Sequence, residues 1–229
     1  MAEWKAFREL AAELSKIDVG VYKEHGRDPL QPILGLGDPH CRVAIMGRDP
    51  GRHEVEFGEP FIGAGGQLVR AALYRALHDG AEMPDFAASQ QVGKHVFWMN
   101  TVPYKPVGNK AWGIRIQRRF QPLLADLLVN TWQGSDILAL GRGAVMWFGL
   151  ADKDAKAALA DFWERDDRYE TSLTLPLRAS SGQERSFRIH PVPHPSPLNA
   201  RWYRQVPELL DARLAALGFG PDSWRLDVR

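Results

Sequence analysis

Arg42-Val43-Ala44-Ile45-Met46-Gly47-Arg48-Asp49-Pro50-Gly51 is the stretch on which the fold turns. Its first half is an unbroken apolar run, the pattern of a short strand buried on both faces. Its second half is a Gly/Pro loop that sets Asp49 just past the strand's C-terminal end. A second loop, Gly58-Glu59-Pro60-Phe61-Ile62-Gly63-Ala64-Gly65-Gly66, follows and opens a helix. Open α/β sheets bind ligands at the carboxyl edge of their strands. Much later, His194-Pro195-Ser196-Pro197-Leu198 follows another strand-like run. Asp49 and His194 are therefore expected to face each other across one pocket.

The rest of the chain repeats the alternation. Trp4, Phe7, Leu10, Leu14 and Ile17 recur at helical spacing, which predicts a helix over about 2–16. Residues 26–40 carry Pro29, Pro32, Pro39, Gly35 and Gly37 and read as loop. Val69, Ala72, Leu73 and Ala76 share one face of a helix that starts at Gly65, and 80–94 reads as a polar connection. His95–Met99 is a second strand, ending at Asn100. Prolines 103 and 106 then forbid a central strand or a helix. Ile116, Phe120, Leu123, Leu124 and Leu127 mark the next helix, and 136–141 a third strand. A short helix begins at 142, and a charged one runs over about 152–165. Leu173, Leu175 and Leu177 alternate into an antiparallel excursion that leads to the fourth strand, Phe187–His190. Trp202 to Leu217 closes the chain as a helix. Strands alternating with helices predict a three-layer α/β/α sandwich around a four-stranded parallel sheet, one domain over 1–229.

Composition narrows the class. The chain has 229 residues, 45% hydrophobic and 25% charged, enough for one full-sized core. No apolar run reaches the length of a membrane span, and the N-terminus lacks a signal-peptide core, so no membrane and a cytoplasmic home are expected. Cys41 is the sole cysteine, which leaves no intramolecular disulfide and no all-cysteine metal or iron–sulfur cage. No His/Cys/Asp cluster stands at ligand spacing, so neither a metal nor any other cofactor is expected. Formal net charge is only +1. Locally, Thr101–Ala125 holds five bases and no acid, and Arg178–Arg204 five arginines and one glutamate. A basic rim suits a phosphodiester partner, although, taken alone, the charge pattern fits a solvated surface better.

The residue types at the shared edge suggest chemistry. Asp49 can orient a water or stabilise a developing cation; an Asp in such a loop often merely caps the next turn. Asn100 offers donors and an acceptor, so its amide can read N3–H and O4 of a pyrimidine, or simply bond local backbone. Phe61 can floor a planar base or plug the core. A neutral His194 can donate to a forming oxyanion. Ser196 and its neighbouring amides can grip phosphate, and Leu198 can wedge into a base stack or be buried.

Taken together, these motifs resemble the uracil-DNA glycosylase superfamily. Gly47-Arg48-Asp49-Pro50-Gly51 resembles its first motif, and Gly58–Gly63 the uracil-stacking loop of its iron–sulfur branches. Asn100 matches the base-reading asparagine, and His194–Leu198 the second motif and intercalation loop. The matches run in order from 47 to 198. The chain is a composite. It lacks the four cluster cysteines, and its acid is third in the first motif, as in the classical branch, with Arg48 second. Gly51 stands where the classical branch has the tyrosine that excludes the thymine methyl, so another group must exclude thymine, with Glu54 and His53 as candidates. The histidine-bearing insertion of the covalently trapping branch is not evident after Asn100.

The resemblance implies a monofunctional DNA glycosylase, monomeric, that flips uracil out of DNA and hydrolyses its glycosidic bond. Asp49 and His194 are then catalytic. Gly47, Arg48, Phe61 and Asn100 hold the base, while Ser196, Pro197, Leu198 and Arg201 hold DNA. Three rivals stay open: a glycosylase for hypoxanthine or xanthine, a non-catalytic nucleic-acid-binding domain of this fold, and an α/β protein acting on free nucleotides.

Overall fold

The computed structural model describes residues 4–35, 37–196 and 199–226. In chain order the helices and strands are α1 (Lys5–Ala12), α2 (Val19–Glu24), β1 (Val43–Gly47), α3 (Arg52–Phe57), α4 (Ala64–Leu77), α5 (Phe86–Val92), β2 (Phe97–Asn100), α6 (Ile114–Asp126), β3 (Asp136–Leu140), α7 (Arg142–Met146), α8 (Lys153–Trp163), β4 (Leu173–Arg178), β5 (Glu184–Val192), α9 (Ala200–Tyr203) and α10 (Val206–Ala216). The sheet order is β2-β1-β3-β5-β4. The first four of these are mutually parallel, and β4 runs antiparallel to β5 at the edge.

Every residue of β1, β2 and β3 is buried, because helices cover both faces. Side chains still alternate. Ala44, Met46, Phe97, Met99, Ile137 and Ala139 enter one core with Phe120, Leu124, Trp132 and Trp147. Val43, Ile45, Trp98, Leu138 and Leu140 enter the other, with Val69 and Leu73 of α4 and Leu210 and Leu214 of α10. Each of the larger aliphatic side chains and Phe contributes about 1.5–3 kcal/mol when fully buried. β4 is covered on one face only: Leu175 and Leu177 are buried while Thr174, Pro176 and Arg178 are exposed. Pro176 is tolerated because β4 is an edge strand, where a missing N–H leaves no ladder bond broken.

The expected parallel core is present, and β4 makes the described sheet five-stranded rather than four. Three short helices depart from expectation. α5 occupies what reads as polar connection, started by Asp85, whose Oδ1 accepts from the Ala88 N–H at 2.8 Å. α2 and α3 have six residues each and bury only Tyr22 and Val55 respectively. One buried apolar residue produces no periodicity to detect. The N-terminal helix stops at Ala12, and Ile17 instead bridges to Pro106. The closing helix is two helices, since Pro207 sits in the first turn of α10. The tail is anchored: the Arg42 N–H donates to the Trp224 carbonyl at 2.9 Å, and Cys41 bridges Arg225. Cys41 is fully buried, and burial pushes its thiol up to about 12. No helix among the described residues is long and apolar enough to cross a membrane.

Candidate active site

Gly47 and Asn100 are register partners at the carboxyl ends of β1 and β2. The pairing continues beyond the strands. The Thr101 N–H donates to the Gly47 carbonyl at 3.0 Å, and Thr101 Oγ1 to the Arg48 carbonyl at 2.6 Å. The loops carrying Asp49 and Asn100 are thereby fastened at one mouth. A Cβ on Gly47 would lie 2.5 Å from Phe61 Cζ and 2.9 Å from Asn100 Oδ1. Only glycine lets the phenyl ring and the amide converge there.

Phe61 has φ +55°, a region that costs a non-glycine residue about 1–2 kcal/mol. Three contacts hold it. Its ring stacks on Trp98, centroids 4.9 Å apart and planes 29° apart. Its carbonyl accepts from Arg70 Nε at 2.7 Å. Gly66 of α4 lies so close that any side chain there would collide with that carbonyl. Arg70 is fully buried. It also donates to the carbonyls of Pro60 and Ser89 at 3.0 and 2.6 Å and pairs with Glu59 at 2.7 Å. Burial lowers its pKa, against the pull of Glu59. Arg70 belongs to none of the sequence motifs. Its signal was a lone guanidinium between Val69 and the Ala72-Leu73 pair on an apolar helix face, where an unpaired charge is untenable.

Glu54 ties the first loop to the second. Oε2 accepts from the Gly51 N–H at 2.8 Å and Oε1 from the Gly63 N–H at 2.9 Å. Its carboxylate sits 2.6 Å from where a Cβ on Gly51 would project. His53 is 63% exposed and pairs with Glu56.

The Asp49 side chain is 3% exposed. Its Oδ2 accepts from Arg48 Nε at 2.8 Å, and its buried Oδ1 meets no hydrogen-bonding partner among the described residues. Burial raises its pKa to about 6, against the opposing charge and hydrogen bond of Arg48 and a weaker pull from the Trp112 backbone. His194 lies on the loop after β5. Its carbonyl accepts from the Ser196 N–H at 2.9 Å and from Asn199 Nδ2 at 3.1 Å. Burial, then the charge of Arg48, lowers its pKa, which favours the neutral imidazole. The Gly141 N–H donates to the Val192 carbonyl at 2.7 Å, bringing the end of β3 beside this loop.

Asp49, His194, Phe61 and Asn100 line one cavity of about 460 Å³, with Gly47, Arg48 and Ser196 on its wall. Glu54 and Asn109, the latter at φ +54°, line it too; Asn109 drew no notice in the sequence. The volume lies within the range of small-molecule sites. Arg201 is outside this wall, on α9, exposed, its guanidinium 5.3 Å from the centre of the Trp202 ring. Pro197 and Leu198 lie outside the described residues. Among the described residues no group of His, Cys, Asp and Glu is placed to hold a metal ion.

Chemically, this is an open α/β sheet with a cavity of about 460 Å³ at its carboxyl edge, holding an acid and an imidazole. Residues 34–218 match the family described as "Uracil DNA glycosylase superfamily", and the chain belongs to that superfamily of DNA glycosylases. It is similar to the Type-4 uracil-DNA glycosylase of Pyrobaculum aerophilum, 36% identical over 78 residues. That match covers 34% of this chain and 33% of the relative, so the chain aligns with about a third of the relative's length.

Proposed function

We propose that the protein excises uracil from DNA by hydrolysing the N-glycosidic bond, leaving an abasic site. One observation carries the reading: Asp49 and His194, far apart in sequence, line one cavity with Phe61 and Asn100.

The glycosidic bond is unreachable inside a duplex, so the target nucleotide is flipped out. Leu198 fills the gap it leaves, while Ser196 and Arg201 hold the backbone. Uracil stacks on Phe61, whose ring is backed by Trp98. Asn100 reads its edge. As the C–N bond breaks, the electron pair leaves with the base and an oxocarbenium-like sugar remains. Neutral His194 donates a hydrogen bond to the anion at O2. The Asp49 carboxylate faces the cation and positions water through Oδ1, which has no partner among the described residues. Water adds to C1′ and its proton leaves to solvent or to the departing base. Thymine exclusion falls to Glu54, whose carboxylate fills the space a side chain at residue 51 would claim; His53 points to Glu56 instead.

A gel assay for alkali-labile sites tests the reading, on oligonucleotides carrying uracil, hypoxanthine, xanthine or thymine. Cleavage at uracil with thymine spared supports it. Cleavage only at hypoxanthine or xanthine moves the substrate to another deaminated base. DNA retention without cleavage at any lesion leaves a binding domain.

A further inference from the structure

We propose that Arg48 is a positioning residue that holds Asp49 in its working, ionised form. The consequence for catalysis rests on the uracil-excision reading; the geometry does not. Arg48 Nε lies 2.8 Å from Asp49 Oδ2 and forms its ion pair. The other charged or titratable groups on the cavity wall are Arg52, His53 and Glu54 from α3 and His194 from the loop after β5. Arg52 is engaged by Glu24, His53 by Glu56, and Glu54 by the amides of Gly51 and Gly63. Among the described residues, then, Arg48 is the cation paired with this acid.

The physical need for it follows from burial. A carboxylate with 3% exposure and one oxygen lacking a partner among the described residues keeps its proton unless a cation stands beside it. Asp49 is raised to about 6, mainly by burial, with Arg48 as the largest opposing influence; on His194, burial and Arg48 both act downward. An anion facing a developing cation and a neutral imidazole facing a developing anion are the states that excision requires. The Arg48 guanidinium, 2.8 Å from Asp49 Oδ2, favours the first.

The test is a 13C NMR titration of aspartate side-chain carboxyls in substrate-free protein, for wild type, R48M, R48Q and R48K, with D49N assigning the Asp49 signal. In R48M the Asp49 midpoint rises by about one unit, the low end for an adjacent cation because Arg48 is itself part-exposed. R48K recovers most of that shift. R48Q, which keeps an N–H but loses the charge, behaves as R48M and stands in for it should R48M fail to fold. In single-turnover excision of uracil the acidic limb moves up by the same amount, so the deficit approaches about tenfold at and below pH 5 and vanishes toward pH 9. An unmoved Asp49 midpoint, or an equal loss of rate at every pH, overturns the proposal. Wild-type protein that leaves uracil DNA intact refutes the uracil reading alone, because the titration needs no substrate.

Discussion

Arg70, with no solvent exposure, donates its Nε–H to the Phe61 carbonyl at 2.7 Å and so holds the aromatic floor of the cavity in place. The same guanidinium lies 4.9 Å from the centre of the Trp98 ring that backs Phe61. Arg70→Met removes its bonds to three carbonyls and its ion pair with Glu59, which keeps only Gln90 Nε2 at 3.3 Å. Breaking a buried ion pair by removing one partner costs about 3–5 kcal/mol. Urea unfolding at pH 7 is expected to show that loss, and Arg70→Lys to recover only part of it, since an ammonium cannot span the same fork. A loss under about 1 kcal/mol would show that the loop is held by other contacts.

Asp49→Asn and His194→Ala each remove one charge-stabilising group from the proposed reaction. Loss of one preorganised donor raises a barrier by about 3 kcal/mol, or a hundredfold in rate. Single-turnover excision is expected to fall by that order or more, with DNA affinity by gel shift nearly unchanged. Normal excision by both variants would remove the two assignments.

Asp49 also ties stability to pH. Its folded pKa of about 6 lies above the ordinary 3.8, so the folded state binds the proton more tightly. That contribution is full below pH 3.8 and is lost as pH rises through 6, up to about 3 kcal/mol by neutrality. Asp49→Asn should therefore unfold at a higher denaturant concentration than wild type at pH 8, with the gap closing near pH 4. The proposed excision is expected to run the other way, since it needs the carboxylate and should fall as pH drops below 6. Identical unfolding midpoints for Asp49→Asn and wild type at pH 8 would refute the burial argument.

Gly47→Ala tests the convergence of Phe61 and Asn100, because the new methyl would lie 2.5 Å from one and 2.9 Å from the other. Displacing two base contacts by about 1 Å is expected to cost on the order of a hundredfold in kcat/KM. Circular dichroism should show the fold retained. Unchanged kinetics would mean the ring moves aside freely.

Local pattern determined the layers. Val43–Gly47, Phe97–Asn100 and Asp136–Leu140 are short and buried throughout, and runs of that kind read as parallel strands whatever their neighbours do. The Gly/Pro-rich loops behind the strands were legible for the same reason: proline and glycine act on the backbone where they stand. Tertiary structure decided what the side chains are. Sheet order β2-β1-β3-β5 sets the loop of His194 near that of Asp49 across β3, which no spacing along the chain records. Burial then raises Asp49 and lowers His194, Glu54 comes to fill the space beside Gly51, and Arg70 becomes a clamp instead of a surface charge. Periodicity reports which face of an element is dry; charge state and reach depend on distances in three dimensions, and those exist only after the layers have packed.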